Sequence, residues 1–193
     1  MKILKLFALT LLMILIAQGK SFAAMPEISA GETSFDFMRG AYVLKNNVYV
    51  KVDNHGFAAT VTADEAVVSL VEQKCWADGN VKLKHDDVDF GCEHAYMYWQ
   101  DKLATVVGSV NFQNKNFVTI TSDTAVFNWD TKIVDFYGDI NLKTESKVKL
   151  AKGIKQDGKK YQHIQYNIAE GTILALDKNF DIPNIEIPTQ NQN

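Results

Sequence analysis

A repeated unit runs through the middle of the chain, and its spacing constrains the fold more than any other feature of the sequence. Three four-residue segments share a frame that ends in alanine: 63–66 (ADEA), 92–95 (CEHA) and 122–125 (SDTA). Each frame is followed, 13 residues after its alanine, by a glycine that opens a second shared piece: Gly79, Gly108 and Gly138. Both landmarks recur at spacings of 29 and 30 residues. Two landmarks with one common period indicate a chain built from repeated structural units.

The units have the two-residue periodicity of β-strands. In the second piece, Val81 and Leu83 are separated by a lysine, and the other copies repeat this pattern. Because successive side chains of a strand point to opposite faces, the alternation collects the apolar residues on one face. Tyr96, Tyr98 and Val126 interrupt the polar pattern of the other face. The predicted inward residues are Val68, Leu70, Val81, Leu83, Met97, Trp99, Val110, Phe112, Phe127, Trp129, Ile140 and Leu142.

Turn-forming residues are expected to connect these strands, at 77–80, 99–102, 128–131 and 156–159. Residues 35–52 fit a degenerate first unit, and residues 161–176 fit a last unit that lacks the alanine landmark. Atypical end units are expected because they have a neighbour on one side only. Residues 179–193, with Pro183 and Pro188, predict an edge strand followed by a loose tail.

The fold class follows from the strands and from the size of the inward side chains. A stack of short strands can close into a sandwich, a jelly roll or a β-solenoid, and no stretch after residue 23 has a helical apolar stripe. The inward set contains phenylalanine and tryptophan, which suit two sheets around a slot better than a narrow solenoid. The prediction is an all-β domain over residues 24–178, with about 30 residues per repeat.

Residues 1–23 have the pattern of a secretory signal peptide. Lys2 and Lys5 precede an apolar run at 6–17, and Ser21 and Ala23 are the small residues that a signal peptidase requires. The alternative is a retained membrane anchor, which needs about 20 apolar residues. Gln18-Gly19-Lys20 ends the run too early for that, so we expect cleavage near Ala23 and export. No cysteine follows the predicted cleavage site closely enough to indicate a lipoprotein.

Charge and motifs exclude several functional classes. Without the leader the chain has 17 basic and 23 acidic side chains, which argues against nucleic acid as a partner. The sequence has no nucleophile elbow, zinc-protease helix, phosphate loop or dinucleotide fingerprint, so it predicts neither an enzyme nor a cofactor. Residues 85–94 are rich in His, Asp, Cys and Glu, but alternation distributes them over both faces and predicts no metal site. His163 is isolated and is expected at the surface.

The two cysteines leave two interpretations open. Export permits a disulfide between Cys75 and Cys92. A single pair cannot form a disulfide framework, and both residues also fit as small buried apolar side chains.

The repeat resembles a known family. The frame Ala-Asp-x-Ala followed by Gly-Asn-Val, seen at 62–66 with 77–81, resembles the OstA-like family of lipopolysaccharide-transport proteins, which includes the periplasmic LptA proteins. Two weaker copies follow, at 92–95 with 108–110 and at 122–125 with 138–140. The resemblance spans roughly residues 30–145. It implies a V-shaped β-jellyroll whose apolar groove holds acyl chains of lipopolysaccharide, with protomers joined edge to edge and no catalytic residues.

The resemblance therefore predicts a non-enzymatic periplasmic carrier. It would bind the lipid A part of lipopolysaccharide along the inward residues and bridge inner- and outer-membrane transport complexes by edge-strand pairing, including a head-to-tail homo-oligomer. The alternatives are a membrane-anchored LptC-like partner of the same system and an exported polysaccharide-binding or polysaccharide-cleaving β-protein. The inward set also fits an ordinary packed core. Lysines of the segment 143–160 are candidate head-group contacts or parts of a solvated hairpin that discourages edge pairing: Lys147, Lys149, Lys152 and Lys155.

Overall fold

The computed structural model describes a chain of β-strands. The described residues are 27–54, 57–69, 71–86, 88–115, 118–144, 149–150, 154 and 161–176. The strands are β1 Glu27–Ser29, β2 Glu32–Asp36, β3 Ala41–Asn54, β4 Phe57–Ser69, β5 Lys74–His85, β6 Val88–Tyr98, β7 Leu103–Asn114, β8 Val118–Asn128, β9 Ile133–Thr144, β10 Lys149–Leu150, β11 Tyr161–Asn167 and β12 Thr172–Ala175. No helix long and apolar enough to cross a membrane occurs in these ranges. The predicted signal peptide and the predicted edge strand and tail at 179–193 lie outside them.

All the strands in the described ranges belong to one 12-stranded sheet, which confirms the predicted all-β jellyroll. The order is β1-β3-β4-β5-β6-β7-β8-β9-β11-β12-β10, and β2 pairs with β3 beside β1. Neighbours from β3 to β9 are consecutive in the chain and antiparallel, whereas β10 and β12 are parallel. Consecutive pairing is what a tandem repeat of strand pairs produces.

The sheet is bent along a line that crosses every long strand. Between each pair of neighbouring strands from β3 to β9 an additional residue in β3, β5, β7 or β9 shifts the register, and such β-bulges bend a strand. We call the half of the sheet that contains residues 81–85 wing A and the half that contains residues 74–78 wing B. The two layers of the jellyroll are thus two halves of the same strands. The shifts lie at 45/48, 62/65, 78/81, 91/94, 107/110 and 121/124.

A corner motif forms each bend. Gly108 and Ser109 have φ angles of +81° and +48°, in the left-handed region that glycine adopts without strain. The Glu93 side chain of the neighbouring strand lies against Gly108, where a Cβ atom would be 2.6 Å from Glu93 Oε2. Ser109 Oγ donates a hydrogen bond of 2.9 Å to Glu93 Oε1. The acid and the glycine of the sequence repeat are therefore two parts of one corner.

The corner recurs along the bend and corrects one predicted turn. Residues 77–80 do not connect strands, because they lie inside β5, where Gly79 and Asn80 have positive φ. These turn-forming residues instead form the corner in the middle of β5. Equivalent hydrogen bonds join Asn46 Nδ2 to Glu32 Oε1 (3.1 Å), Asn80 Nδ2 to Asp64 Oδ2 (2.8 Å) and Asp139 N to Asp123 Oδ2 (3.0 Å).

The alanine landmarks form one row inside the bend. Ala66, Ala95 and Ala125 are all buried, and the strand registers align them across the sheet with Ala77 and Val106. The same row continues into larger buried side chains, Leu44 in β3 and Phe136 in β9, so small residues occupy only its middle. Two residues further from the bend, a second row of inward residues crosses wing B: Val68, Cys75, Met97, Ala104, Phe127, Val134 and Tyr166.

The predicted turns at 99–102 and 128–131 are confirmed, and they stack on one another. The backbone N–H of Trp99 donates to the carbonyl of Gln73, that of Trp129 to Lys102, and that of Ile168 to Lys132, at 2.9–3.2 Å. Each acceptor is the last residue of its turn, with φ between +53° and +58°: Gln73, Lys102 and Lys132. The turn expected at 156–159 lies outside the described residues.

The interrupted polar pattern of the outer face also has a structural basis. Registers align Val67, Trp76, Tyr96, Thr105 and Val126 in a row across the outside of wing B. Tyr96 is only 4% exposed, since its neighbours in this row cover it. Cross-strand pairs of aromatic and β-branched side chains stabilise a sheet.

Replacement of a corner glycine tests this account of the repeat. We expect Gly108→Ala to lower the free energy of unfolding by about 1–3 kcal/mol, because alanine resists positive φ and its Cβ would displace Glu93. Gly91→Ala is the matched control in β6, since the nearest atom is Asn111 O at 4.0 Å and no positive φ is involved. Urea denaturation of both variants measures the difference. Equal free energies of unfolding for the two variants would contradict the role of Gly108 in the corner.

Candidate functional site

Most of the predicted inward residues lie in the interior between the wings. Trp99 and Trp129 are half-buried in turns and pack against the edge of the core. Leu70 lies outside the described residues. The remaining predicted residues are at most 5% exposed: Val68, Val81, Leu83, Met97, Val110, Phe112, Phe127, Ile140 and Leu142.

Aromatic side chains meet across the interior. The ring of Phe127 in wing B lies 6.1 Å from that of Phe90 in wing A, measured between centroids. Phe112 of wing A contacts Phe136 and Tyr166 of wing B, at 5.2 and 5.8 Å. Such edge-on and tilted pairs contribute about 0.5–1.5 kcal/mol beyond burial. The interior is therefore filled by side chains from both wings.

Sequence reasoning missed three members of this aromatic cluster: Phe90, Phe136 and Tyr166. A signal for Phe90 was present, because Val88, Phe90 and Cys92 alternate with polar residues just before the second alanine landmark. The prediction considered only the strand segments after the landmarks. Each long strand contributes inward residues on both sides of the bend, so most of the lining was overlooked.

The size of the interior side chains changes along the sheet. Buried residues of β3 and β4 are mainly valine and alanine, including Val48, Val50, Val61 and Ala63. From β6 onward the interior contains phenylalanine, tyrosine and isoleucine. The apolar surface is continuous over the whole sheet, but side chains bulky enough to meet across it belong to the second part.

We call the edges of the wings away from the bend the rims, and a lysine joins them. Lys132, in the β8–β9 turn of wing B, places Nζ 2.9 Å from His85 Nε2 and 3.2 Å from Asp86 Oδ2 of wing A. His85 Nδ1 lies 2.9 Å from Ala58 O. Since an ammonium group donates to Nε2, His85 is the neutral tautomer with its proton on Nδ1, which donates to the carbonyl.

Burial lowers the pKa of His85 below its usual 6.5, and the positive charge of Lys132 acts in the same direction. The hydrogen bond to Ala58 and the charge of Asp86 oppose this shift.

A second contact between the rims joins Asn114 Nδ2 of wing A to the hydroxyl of Tyr166 in wing B. The Asn114 side chain also accepts a 3.0 Å hydrogen bond from Val118 N.

A cavity of about 270 Å³ lies beside Lys132. We call it the rim cavity. It combines charged or polar groups of both wings with an apolar floor, a combination typical of ligand sites. Its lining residues are His85, Asp86, Val88, Phe127, Lys132, Ile168 and Ala169.

His163 corrects a second prediction, because it is buried rather than exposed. Only 3% of it is accessible, and its Nε2 lies 2.9 Å from Asp135 Oδ1. Its ring stacks on Tyr137 with centroids 4.6 Å apart. Within the part of the chain that the structure describes, no three His, Cys, Asp or Glu side chains come together as a metal site.

The structure separates the two cysteines. Cys92 pairs with Val81, six positions along β5 from Cys75, which corresponds to roughly 20 Å along the strand. A disulfide requires Cα atoms within about 7 Å. Both thiols are free and buried, so the interpretation as small apolar side chains fits and the disulfide does not. Burial raises the pKa of each thiol to about 12.

The candidate head-group lysines are not placed by the structure. Lys149 belongs to the short strand β10, and its side chain is outside the described atoms. The other three lie outside the described residues: Lys147, Lys152 and Lys155.

Comparison with known proteins identifies the family. The profile of the OstA-like protein family matches residues 63–180, which is more than half of the chain. The protein therefore belongs to the OstA-like family, and the predicted resemblance is confirmed. No characterised protein sequence matches it significantly.

A solved structure supports the fold independently. It is the crystal structure of LptH, described as the LptA homologous periplasmic component of the conserved lipopolysaccharide transport device from Pseudomonas aeruginosa. The TM-score is 0.55 at 10% sequence identity, and the match covers 62% of this chain and 94% of that one. At this identity the similarity establishes the shared fold.

Thiol labelling tests the burial of the cysteines. We expect both thiols to resist iodoacetamide in the folded protein, because the reactive thiolate is scarce when the pKa is about 12. In urea, without reductant, both should react. Mass spectrometry of protein purified from an oxidising compartment counts the labels. A protein that remains unlabelled in urea would contain the disulfide that the strand register opposes.

The neutral state of His85 predicts a pH dependence of stability. The unfolded chain binds a proton near pH 6.5, whereas the folded state resists it, so the free energy of unfolding should decrease as the pH falls below about 6.5. One such group contributes at most about 1.4 kcal/mol per pH unit. We expect a smaller loss between pH 7.5 and 5.5 for His85→Asn than for the unsubstituted protein in urea titrations. Identical losses would assign the effect to other groups.

Proposed function

We propose that this protein is a non-enzymatic periplasmic carrier that binds lipopolysaccharide through its acyl chains and takes part in outer-membrane assembly. The observation that carries this proposal is the continuous apolar interior between two wings of one sheet. Membership of the OstA-like family and the fold shared with LptH support it. LptH is described as a component of a lipopolysaccharide transport device, and we extend that role to this chain as a proposal.

The physical task is to shield acyl chains from water. Each methylene group exposed to water costs about 0.8 kcal/mol, so a lipid crosses an aqueous compartment only if its chains are covered. Side chains on the inner faces of both wings offer such a surface, and a head group would remain at the rims. Our candidates for contact with the acyl chains are Val68, Leu70, Val81, Leu83, Met97, Trp99, Val110, Phe112, Phe127, Trp129, Ile140 and Leu142.

Acyl chains can reach this interior only if the wings separate. The interior aromatic residues already contact one another, and Lys132 and Asn114 connect the rims. The ion pair of Lys132 and Asp86 is partly exposed, and exposed pairs contribute only about 0–1 kcal/mol. Separation of the rims beside Lys132 therefore breaks a weak ion pair, and acyl chains would replace the lost apolar contacts between the wings.

Partners and cellular location follow from the same proposal. Residues 1–23 are proposed to direct export, and the lysines at 147, 149, 152 and 155 are proposed to contact head groups. At one end of the described sheet, β1 and β2 pair with β3 and with no other described strand. Unpaired strand edges favour addition of another strand, so we propose that these edges join inner- and outer-membrane transport proteins or a further copy of this chain.

Photo-crosslinking tests the proposed interior. We place a photoreactive phenylalanine analogue at Phe112, which is fully buried, and at its exposed neighbour Asn111 in the same strand as the matched control. After irradiation with lipopolysaccharide we expect a lipid adduct from position 112 and little or none from position 111. Immunoblots against lipopolysaccharide measure both adducts. Circular dichroism establishes that each variant is folded.

Delipidated polysaccharide separates the carrier from its alternatives. The carrier predicts loss of the adduct at position 112 when the acyl chains are removed. Equal adducts with intact and delipidated ligand would favour a polysaccharide-binding protein and contradict the proposal. Fractionation of the cells distinguishes an anchored partner, which would remain in membranes with an intact N-terminus.

A further inference from the structure

The rim cavity has features of a binding site distinct from a packed core. We propose that it binds one acyl chain that ends in an anionic group, with the anion on Lys132 and the adjoining methylene groups on Val88, Phe127 and Ile168. The ligand class is an anionic amphiphile, whose head is a phosphate or a carboxylate. This inference rests on the proposed function in one respect, because Phe127 belongs both to the cavity and to the interior.

Among the described residues that line the cavity, Lys132 is the cation in a position to receive the anion. Lys132 Nζ lies between His85 Nε2, at 2.9 Å, and Asp86 Oδ2, at 3.2 Å. His85 is neutral and adds no charge of its own. The Asp86 side chain is 55% exposed, so it can turn away into water. A phosphate or carboxylate from a ligand can then take its place beside the ammonium group, which exchanges one ion pair for another.

The apolar side of the cavity continues into the interior. Val88 is 3% exposed and Phe127 is 2% exposed, and both form part of the hydrophobic core. Ile168 packs against that core from the β11–β12 turn. An acyl chain whose anionic end is bound at Lys132 therefore points from the rim toward the aromatic side chains of the interior. The anion remains in water while the chain is covered.

The volume limits what the cavity holds in this state. Pockets for drug-sized ligands measure about 300–1,000 Å³, and the rim cavity measures about 270 Å³. It fits the head-proximal part of a single chain rather than a lipid with several chains. Because Lys132 and Asp86 connect the two rims, the arriving anion also removes one of the contacts that keep the wings together. The site is therefore the position at which a chain begins to enter the interior.

The protein sequence offers a conservative substitution for Lys132 and a matched control residue. Lys132 and Lys102 are the last residues of successive stacked turns, with φ angles of +58° and +57°. Gln73 has the same position in the preceding turn, with φ +53°, so glutamine is compatible with this backbone. Lys102 forms a comparable ion pair, with Nζ 2.7 Å from Asp130 Oδ1. Lys132→Gln removes the proposed contact, and Lys102→Gln removes an equivalent charge outside the cavity.

Calorimetric titration at pH 7.5 tests the site with defined probes below their micellar concentrations. The probes are dodecyl phosphate, dodecanoate, the uncharged dodecyl maltoside and inorganic phosphate. We expect the two anionic amphiphiles to bind, and Lys132→Gln to raise their dissociation constants about tenfold or more, since hydrogen bonds between charged groups are the strong ones. Lys102→Gln should leave their dissociation constants unchanged. A preference for one anion identifies the head group.

Substitution of Asp86, whose carboxylate competes with the ligand for Lys132, should change the affinity in the opposite direction. Asp86→Asn removes the carboxylate that occupies Lys132, so we expect tighter binding of dodecyl phosphate. Binding of dodecyl maltoside should not change in either the Lys132 or the Asp86 variant. The proposal is overturned if neither anionic amphiphile binds, if Lys132→Gln and Lys102→Gln weaken binding equally, or if inorganic phosphate binds as tightly as dodecyl phosphate.

The crosslinking experiment distinguishes failure of this site from failure of the carrier function. Loss of the Lys132 effect, with a lipopolysaccharide adduct still formed at position 112, refutes the rim site and leaves the carrier intact. Lys132-dependent binding of dodecyl phosphate, with no adduct at position 112, supports the rim site and refutes the interior as the lipid-binding surface.

Discussion

Left-handed corners in the middle of every second long strand, β3, β5, β7 and β9, bend the sheet, and the other features of the fold follow from this bend. A glycine or a short polar residue takes positive φ there, and a carboxylate from the neighbouring strand lies against it and accepts a hydrogen bond. Because the corners align from strand to strand, one sheet bends along one line and its halves face each other. The position of the alanine landmarks beside the bend and the contact between the rims both follow from that geometry.

The bent sheet gives the interior two properties that matter for function. Its apolar surface extends across neighbouring strands without interruption, which suits a long-chain ligand. It is also closed, because aromatic side chains of opposite wings contact one another and Lys132 and Asn114 connect the rims. A carrier with this fold would therefore exchange contacts between its wings for contacts with acyl chains, and access to the interior is decided at the rims.

Much of the fold was predictable because its signals are local. Alternation predicted the strands, turn-forming residues predicted the connections at 99–102 and 128–131, and the paired landmarks predicted the repeat. The same reasoning failed at 77–80, since glycine and asparagine favour positive φ equally in a turn and in a mid-strand corner. It also failed for His163, because an isolated histidine carries no sign of the Asp135 carboxylate and the Tyr137 ring that cover it.

Alternation, turn propensity and the spacing of the landmarks act within a few residues or repeat at a fixed period, so the strands, their inward faces and the family resemblance are readable from the sequence. Which inward residues meet across the wings depends on the tertiary structure. Phe90 with Phe127, and Lys132 with His85 and Asp86, come from strands or turns that are not neighbours in the sheet. Their contact depends on the angle between the wings, and no period in the sequence encodes that angle.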